Sequence, residues 1–255
     1  MTDAELTACL HANLLGFKAL QARAGRLGML RLPGLGALAL PEYPDKVFQQ
    51  QVLYAEARAL AEALPAVEAW YRERGVSVWR VPVYRGDTAA EGVLERAGYR
   101  PEDSLSAMGL LLRAPRETPL PPGITLERPE DLHETLVLNG LCYGPEHVGF
   151  LDPWRTPPRP SPQVNIVLLR EQGRALSCGL SFEREGIAGI YLVATHPEAR
   201  RRGLAALVME ALHADASARG CAAAVLQASE MGYGLYQGLG YRDLGAWTNW
   251  VHRPG

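Results

Sequence analysis

Residues 113–123 contain four prolines among eleven positions. Proline has no amide hydrogen and a fixed φ, so this segment cannot form the interior of a helix or a central strand. We therefore predict a linker at 114–123 that separates a domain at 1–113 from a second domain at 124–255. The full length of 255 residues is sufficient for two small domains, each with its own core.

The composition indicates a globular protein. Hydrophobic residues make up 47% of the chain and the formal net charge is −2, which disfavours disorder and a general nucleic-acid binder. No apolar stretch reaches the roughly 18 to 20 residues that a membrane-spanning helix needs. The start of the chain, Met1–Glu5, also lacks the basic region of a secretory signal. We expect a cytoplasmic protein without nucleic-acid or membrane partners, as a monomer or homodimer.

The cysteines and lysines carry less information. The four cysteines form no CxxC pair, so the sequence predicts no metal site and no dense disulfide framework. We interpret them as small buried apolar groups. The chain has only two lysines, Lys18 and Lys46, against 24 arginines, a bias that we attribute to genomic base composition.

Hydrophobic spacing predicts alternating helices and strands before the linker. Apolar residues at helical spacing indicate a first helix through Leu6–Phe17, and a second helix is predicted from about Val52 to Arg74, interrupted at Pro65. A β-branched run predicts a strand at 76–83, followed by a short helix at 88–97 and a strand at 106–112. Any earlier strands are not defined by the pattern.

The part after the linker has a clearer order of elements. We predict a strand at 124–127, a helix at 129–142 and a proline-rich loop, and then a meander of strands at 164–170, 175–182 and 187–195. A helix that begins near Leu204 ends at Gly220. A strand at 222–228, a short helix at 235–239 and a last strand at 247–252 complete the order.

A short internal repeat links the two halves. Residues 94–100 and 236–242 both follow a strand, cover the end of a helix and lead into a final strand. This repeat favours two copies of one small α/β unit.

The segment Tyr191–Leu207 carries the strongest functional signal, because an apolar strand passes through a basic turn into an amphipathic helix. The first amides of a helix have no intrahelical acceptor and lie at the positive end of the helix dipole, so they bind phosphate groups well. Small residues at Gly203 and Ala205 let oxygen atoms approach the backbone, and Arg200, Arg201 and Arg202 add charge at the rim.

Two common phosphate loops are excluded by sequence. The chain has no GxxxxGK[ST] motif for a nucleoside triphosphate and no GxGxxG motif after an N-terminal strand for a dinucleotide. The alternative for the three arginines is a solvated surface. The preceding strand, the internal glycine and the following helix favour the anion site instead.

At these residues the sequence resembles the GNAT N-acetyltransferase superfamily. The acetyl-CoA signature of that family is Gln or Arg, two residues, Gly, one residue, and Gly or Ala, and it is met by Arg200, Gly203 and Ala205. The resemblance extends from about Ile124 to His252 and includes a Leu-Tyr-x-x-Leu-Gly-aromatic motif at 235–241. It implies an α/β (α+β) fold of two GNAT-like mixed-sheet units. The C-terminal unit would be complete, with a splayed central strand pair, and the N-terminal unit degenerate.

The resemblance also implies a site. Pantetheine of acetyl-CoA, the co-substrate, would lie between the strand that ends at Thr195 and the strand at 222–228, with its pyrophosphate on the amides of 201–206. The cofactor-binding residues implied are Val193, Ala194, Thr195, Arg200, Arg201, Arg202, Gly203, Leu204, Ala205, Ala206 and Ser229. Tyr236 matches the family tyrosine that protonates the leaving thiolate; its alternative role is a core tyrosine. Ser229 is explained equally well as a helix N-cap.

The sequence does not identify a general base. Residues 187–195 contain no carboxylate, whereas many family members have a glutamate on this strand. Glu183, Glu185 and Glu230 are candidates that we interpret as exposed turn residues, and we interpret His196 as a solvated loop residue. Tyr143 and Trp154 either border the acceptor amine or anchor the loop against the linker.

These observations lead to a functional hypothesis. We expect an acetyl-CoA-dependent N-acetyltransferase that acts on a small-molecule or peptide amine by direct attack in a ternary complex. Leu94 stands where the second copy has Tyr236, and residues 1–113 lack the signature, so we expect a non-catalytic first half. The alternative is an inactive acyl-CoA-binding module with a regulatory or structural role.

Overall fold

A computed structural model describes residues 1–114, 119–143 and 161–253. The described residues contain six α-helices, which are α1 (Asp3–Ala24), α2 (Ala57–Glu73), α3 (Thr88–Arg96), α4 (His133–Tyr143), α5 (Leu204–Ala218) and α6 (Glu230–Gly238). They also contain eleven β-strands, which are β1 (Gly28–Leu32), β2 (Leu35–Ala39), β3 (Gln51–Tyr54), β4 (Trp79–Tyr84), β5 (Arg100–Leu111), β6 (Ile124–Glu127), β7 (Val164–Glu171), β8 (Arg174–Arg184), β9 (Ile187–Thr195), β10 (Ala223–Ala228) and β11 (Arg242–His252). The result is a mixed α/β fold, as predicted. No described helix has the length and apolarity required to cross a membrane.

The chain divides into two compact units. Among the described residues, the larger unit comprises 1–17, 107–114, 119–143 and 161–244, and the smaller unit comprises 18–106 and 245–253. This division differs from the predicted one, because the first helical turns group with the C-terminal half and the last strand groups with the N-terminal half. The domain boundaries at 113 and 124 stay a prediction, and residues 115–118 of the linker lie outside the described part.

In the larger unit the strands have the order β5-β10-β9-β8-β7-β6. Strands β6 to β9 are antiparallel neighbours, which confirms the predicted meander, whereas β9 and β10 are parallel. The two meander hairpins turn through pairs with positive φ, Gln172-Gly173 and Glu185-Gly186, the geometry that tight hairpins prefer. Helix α5 buries its apolar side, including Val208 and Leu212, in the core of this unit.

Helix α5 lies unusually close to β8. A Cβ atom at Gly179 would lie 3.0 Å from Cγ1 of Val208 and 3.2 Å from Cδ1 of Leu212. Glycine at this strand position therefore allows the helix to approach the sheet.

In the smaller unit the strand order is β1-β2-β3-β4-β11-β5, with β3 and β4 parallel. Its core contains a group of stacked aromatic side chains. The rings of Tyr71 and Trp79 stack at 4.6 Å, and Trp79 Nε1 donates to the hydroxyl of Tyr99 at 2.8 Å. This unit thus has a core of its own.

Two expectations for the N-terminal half were wrong. Residues 51–54, placed at the start of a helix, form the buried strand β3, and α2 begins only at Ala57. Pro65 also lies inside α2 rather than interrupting it. Burial of Leu60, Leu64 and Val67 on one face stabilises this helix, so tertiary packing overrides the local preference of proline. The hairpin β1–β2 was not predicted.

The repeat seen in the sequence corresponds to two similar helix ends. At the end of α3, Gly98 has φ of 86° and the amide of Tyr99 donates to the carbonyl of Leu94 at 3.0 Å. At the end of α6, Gly240 has φ of 89° and the amide of Tyr241 donates to the carbonyl of Tyr236 at 3.0 Å. Both are glycine caps that terminate a helix and direct the chain into a strand.

Candidate acyl-CoA site

The parallel strands β9 and β10 separate along their length. They pair only from Ile187 to Gly189 on β9 and from Ala223 to Val225 on β10, although β9 continues to Thr195 and β10 to Ala228. The remaining part of β9 therefore has an edge that does not pair with β10. This confirms the predicted splayed strand pair.

A bulge in β9 accompanies the separation. The register between β8 and β9 shifts between Cys178 and Leu180, and Leu192 has a φ of 53°. The buried side chain of Asn139, on α4, donates to the carbonyl oxygen of Leu192 at 3.0 Å and to that of Thr135 at 2.9 Å. Asn139 thus stabilises a main-chain carbonyl that the bulge turns away from the strand ladder. Sequence reasoning missed Asn139, whose signal was an amide among apolar residues of a helix.

The hydrogen bonds of β9 show which main-chain groups face the open edge. The amide of His196 donates to Leu176 on β8 at 2.8 Å, and the carbonyl of Ala194 accepts from the hydroxyl of Ser177 at 3.1 Å. Because peptide groups alternate along a strand, the main-chain groups of Thr195 and Val193 point to the other side. Ala194 packs its buried side chain against α4.

Thr195 already has partners at its carbonyl oxygen. The thiol of Cys142 donates to this oxygen at 3.2 Å, and Nε of Arg200 lies 3.4 Å from it. These contacts join α4, the end of β9 and the first signature residue. Cys142 is half-buried, so the interpretation of all four cysteines as buried apolar groups holds for Cys178 and Cys221 only.

Between β9 and α5 the chain forms a loop with two residues in the left-handed region, Arg201 with φ of 65° and Gly203 with φ of 76°. Gly203 is the N-cap of α5, and no side chain caps the helix there. A Cβ atom at Gly203 would meet no atom within 4 Å, so the space beside the helix start is open.

The first amides of α5 are available for a ligand. The first helical bond runs from the amide of Leu207 to the carbonyl of Gly203. In the part of the chain that the structure describes, the amides of Leu204, Ala205 and Ala206 have no acceptor. An uncapped helix start beside open space suits a phosphate group, which would accept several hydrogen bonds from these amides.

The three signature arginines have different surroundings. Arg200 lies against Thr195 as described, and Arg202 makes a bidentate ion pair with Glu171 at 2.6 and 3.1 Å. This hydrogen bond lowers the pKa of Glu171. Arg201 is exposed and has no ion pair among the described residues. Arg201 therefore offers an uncompensated charge beside the helix start, whereas the charge of Arg202 is partly neutralised.

His196 stabilises the loop. Its Nδ1 accepts the amide hydrogen of Glu198 at 3.3 Å, and its Nε2 lies 2.9 Å from Arg174, which also donates to Glu198. A depression of about 330 Å³ lies next to these residues and is lined by Glu171, Gln172, Arg174, Leu176, Glu198, Ala199 and Arg202. The contacts give His196 a structural role in the turn.

Tyr236 lies on α6 in the core of the larger unit, with 9% of its surface exposed. Its ring packs edge-on against Tyr241 at 5.8 Å, and a Cβ atom at Gly232 would lie 3.0 Å from the Tyr236 ring. The other two nearby tyrosines are engaged, since Tyr241 lies 2.7 Å from Nε2 of His213 and Tyr233 donates to Asp243 at 2.9 Å. Burial lowers the pKa of His213 to about 4, so this imidazole is neutral at pH 7.

Ser229 is the N-cap of α6 by backbone position. Its carbonyl oxygen accepts the amides of Gly232 and Tyr233 at 3.0 Å, but its exposed hydroxyl makes no capping bond. The hydroxyl is therefore not explained by helix capping.

A model of the acetyltransferase (GNAT) domain family matches residues 169–243, from the middle of β7 to the start of β11. This range contains the splayed strands, the uncapped helix start and Tyr236. Residues 169–243 are therefore a GNAT acetyltransferase domain, and the protein is an acyltransferase.

Solved structures of GNAT proteins are similar to the whole chain. A GCN5-related N-acetyltransferase from Kribbella flavida has a TM-score of 0.66 and 18% identity, with 97% of this chain and 96% of that chain covered. A GCN5-related N-acetyltransferase from Sphaerobacter thermophilus has a TM-score of 0.59 and 18% identity, covering 89% and 84%. A tandem GNAT protein from the clavulanic acid biosynthesis pathway has a TM-score of 0.61 and 11% identity, covering 96% and 95%.

At these identities the similarity describes the fold, and the coverage of the tandem protein supports the predicted tandem form of this GNAT chain. A comparison with curated proteins found no match.

Two of the three carboxylates considered as a general base are engaged in ion pairs. Glu183 pairs with Arg219 and accepts from Ser181, and it lies opposite Ala188, at the paired end of β9. Glu185 pairs with Arg184 in a hairpin turn, and Glu230 is exposed in the first turn of α6. Trp154 lies outside the described residues, as does the side chain of Tyr143, so the acceptor-loop prediction stays a prediction.

The parallel strands of the N-terminal half, β3 and β4, have no loop comparable to the one between β9 and α5. Only residues 55 and 56 separate β3 from α2, and the N-cap of α2 is Glu56, an acidic residue. The hydroxyl of Tyr54 donates to Asp87 at 2.8 Å, and its ring stacks with that of Tyr84 at 6.0 Å. These features disfavour a phosphate group at the start of α2.

Proposed function

We propose that this GNAT protein transfers the acetyl group of acetyl-CoA to a primary amine by direct attack in a ternary complex. Acyl-CoA-dependent N-acetyl transfer follows from the family; the choice of acetyl-CoA, the acceptor and the residue roles are the proposal. Its main support is the uncapped start of α5 at Gly203, which opens into free space beside the splayed strands β9 and β10.

The helix start is the proposed binding site for the pyrophosphate. The amides of Leu204, Ala205 and Ala206 would donate to its oxygen atoms, together with those of residues 201–203. Arg201 is the arginine best placed to add charge, because Arg202 is paired with Glu171. Arg200, held against the carbonyl of Thr195, would complete the rim.

The open edge of β9 is the proposed site for pantetheine. The main-chain groups of Val193 and the amide of Thr195 point away from β8 and are oriented to bond an extended ligand, as an added strand would. Ala194 would contribute only by keeping the strand in place. The free hydroxyl of Ser229 lies at the end of β10, the opposite strand of the pair, and would bind the same ligand.

Tyr236 is the proposed general acid. Acetyl-CoA supplies an acetyl thioester, and the unprotonated amine of the acceptor attacks its carbonyl carbon. Tyr236 would donate its phenolic proton to the sulfur as the carbon–sulfur bond breaks, while the proton of the attacking amine leaves through solvent. A phenol suits this role because it is neutral and a hydrogen-bond donor at pH 7.

The two halves would have different tasks. We propose that residues 124–255 form the catalytic domain, that 114–123 form a linker and that 1–113 form a non-catalytic GNAT-like domain. The acidic N-cap Glu56 and the Tyr54–Asp87 bond support the absence of a cofactor site in the first half. Cytoplasmic location and the monomeric or dimeric state remain predictions.

A thiol-release assay with a panel of primary amines tests the proposal. We expect release of free CoA with at least one amine and a reduction of kcat by about 10²-fold or more in Tyr236→Phe, without loss of acetyl-CoA binding. Tyr233→Phe is the matched control, since Tyr233 is half-buried on the same helix and its hydroxyl donates to Asp243. Binding of acetyl-CoA without release for any amine would favour an inactive binding module, and full activity of Tyr236→Phe would exclude the acid role.

A further inference from the structure

Two buried cations lie together in the smaller unit. Lys18 of α1 and Arg80 of β4 are each 7% exposed, and both contact the ring of Phe48, with Lys18 Nζ 5.7 Å and Arg80 Cζ 5.0 Å from its centroid. Buried cations in proteins are normally paired with a carboxylate. Among the residues that the structure describes, no carboxylate lies within ion-pair distance of either group.

The donors of the two cations are only partly used. Lys18 Nζ donates to Oε1 of Gln49 at 3.2 Å, and Arg80 Nη2 donates to the carbonyl oxygen of Phe48 at 3.3 Å. Nε of Arg80 is buried and has no hydrogen-bond partner. A buried N–H of a charged group that has no hydrogen-bond acceptor lowers the stability of the folded protein, so the presence of Arg80 at this position requires an explanation.

The electrostatic environment compensates the two charges only in part. Burial, and then the charge of Arg80, lower the pKa of Lys18 to about 7, and burial lowers the pKa of Arg80 to about 10. Asp103 of β5 raises the pKa of Arg80 but makes no ion pair with it, and its Oδ1 accepts from Asn249 of β11. An anion placed at the two cations would supply the missing charge.

We propose that Lys18 and Arg80 form a binding site for a small oxyanion, a carboxylate or a phosphate group. The Nε side of a guanidinium presents two parallel N–H donors, the arrangement that matches two oxygen atoms of one group. The ammonium of Lys18 would add a further charged donor. This site lies in the N-terminal half and is independent of the acetyl-CoA site.

The lysine content makes a direct test possible. Lys18 and Lys46 are the only lysines, so lysine-selective isotope labelling yields two side-chain signals, which Lys46→Met assigns. Sodium acetate and sodium phosphate are titrated separately at constant ionic strength. We expect the oxyanion to raise the pKa of Lys18, because it stabilises the ammonium form, and to leave that of Lys46 unchanged.

Binding of the same two salts is then measured by calorimetry. Lys18→Met is expected to weaken binding about tenfold or more, the loss of one charged hydrogen bond, while Lys46→Met leaves it unchanged. A response to acetate alone assigns a carboxylate ligand, and a response to phosphate alone assigns a phosphate group. An unshifted Lys18 signal with both salts overturns the proposal, and this measurement uses the wild-type protein, so it does not depend on the folding of a variant.

Discussion

Gly203→Glu examines the structural basis of the proposed cofactor site. The substitution adds a carboxylate at the start of α5, in space where the structure has no atom within 4 Å of the new Cβ. Nothing in the protein would push the side chain aside. The variant should therefore fold, with the added charge at the position proposed for the pyrophosphate.

The expected effects follow from the geometry. A residue with a Cβ at the φ of 76° found here costs about 1–2 kcal/mol of stability, which for a chain of this size lowers Tm by about 2–4 °C per kcal/mol. A unit charge about 5 Å from a phosphate charge costs roughly 1–3 kcal/mol at effective dielectric constants between 80 and 20. We therefore expect acetyl-CoA binding to weaken by roughly 5- to 150-fold, measured by titration calorimetry.

Gly220→Glu is the matched control. Gly220 follows the other end of the same helix, has φ of 87° and also has no atom within 4 Å of an added Cβ. Both variants should lose stability in thermal unfolding, Gly220→Glu more so because its carboxylate lies at the negative end of the helix dipole, but only Gly203→Glu should lose acetyl-CoA affinity. Equal affinities in the two variants would refute the placement of the pyrophosphate at the start of α5.

Two other predictions concern buried polar groups. Burial lowers the pKa of Lys18 to about 7 from its ordinary value of 10.5, so between these pH values the unfolded chain binds more protons than the folded chain. In a buffer of low oxyanion content, the free energy of unfolding should therefore rise with pH across this window. Denaturant melts should show this rise in wild type and a flatter profile in Lys18→Met; equal slopes would contradict the assignment. Asn139→Ala leaves the carbonyl of Leu192 without its 3.0 Å donor and should cost about 1–3 kcal/mol in the same melts while weakening acetyl-CoA binding. Asn165→Ala removes a side-chain amide that donates to Asp215 and should keep full affinity for acetyl-CoA. A loss of affinity as large as that of Asn139→Ala would show that the bulge is not the cause.

The sequence predicted the C-terminal half well because its signals are local. The hairpins at Gln172-Gly173 and Glu185-Gly186 depend on residues that tolerate positive φ, and the structure has them at those positions. The start of α5 depends on Gly203, which the signature includes. Each of these features is specified by a few neighbouring residues, so it can be read without the rest of the chain.

The sequence predicted the N-terminal half poorly because its elements depend on distant partners. Residues 51–54 adopt a strand since they pair with β2 and β4, and α2 continues through Pro65 since its apolar face is buried. The pairing of Arg202 with Glu171 and the bond from Asn139 to Leu192 likewise join residues far apart in sequence. Local patterns carry no information on such contacts.

The sequence alone therefore determined the meander, the signature turn and the helix that follows it, and with them the family that they indicate. These features depend on backbone torsions and hydrophobic periodicity, which are properties of short segments. Only the tertiary structure decided that the pairing of the two strands ends at Gly189, and that Arg202 is paired with Glu171 whereas Arg201 has no ion pair among the described residues. It also decided that buried Lys18 and Arg80 contact the same ring, that of Phe48, with no carboxylate of the described residues within ion-pair distance. The reason is physical: separation, pairing and burial are relations between segments, and they exist only once the chain has brought those segments together.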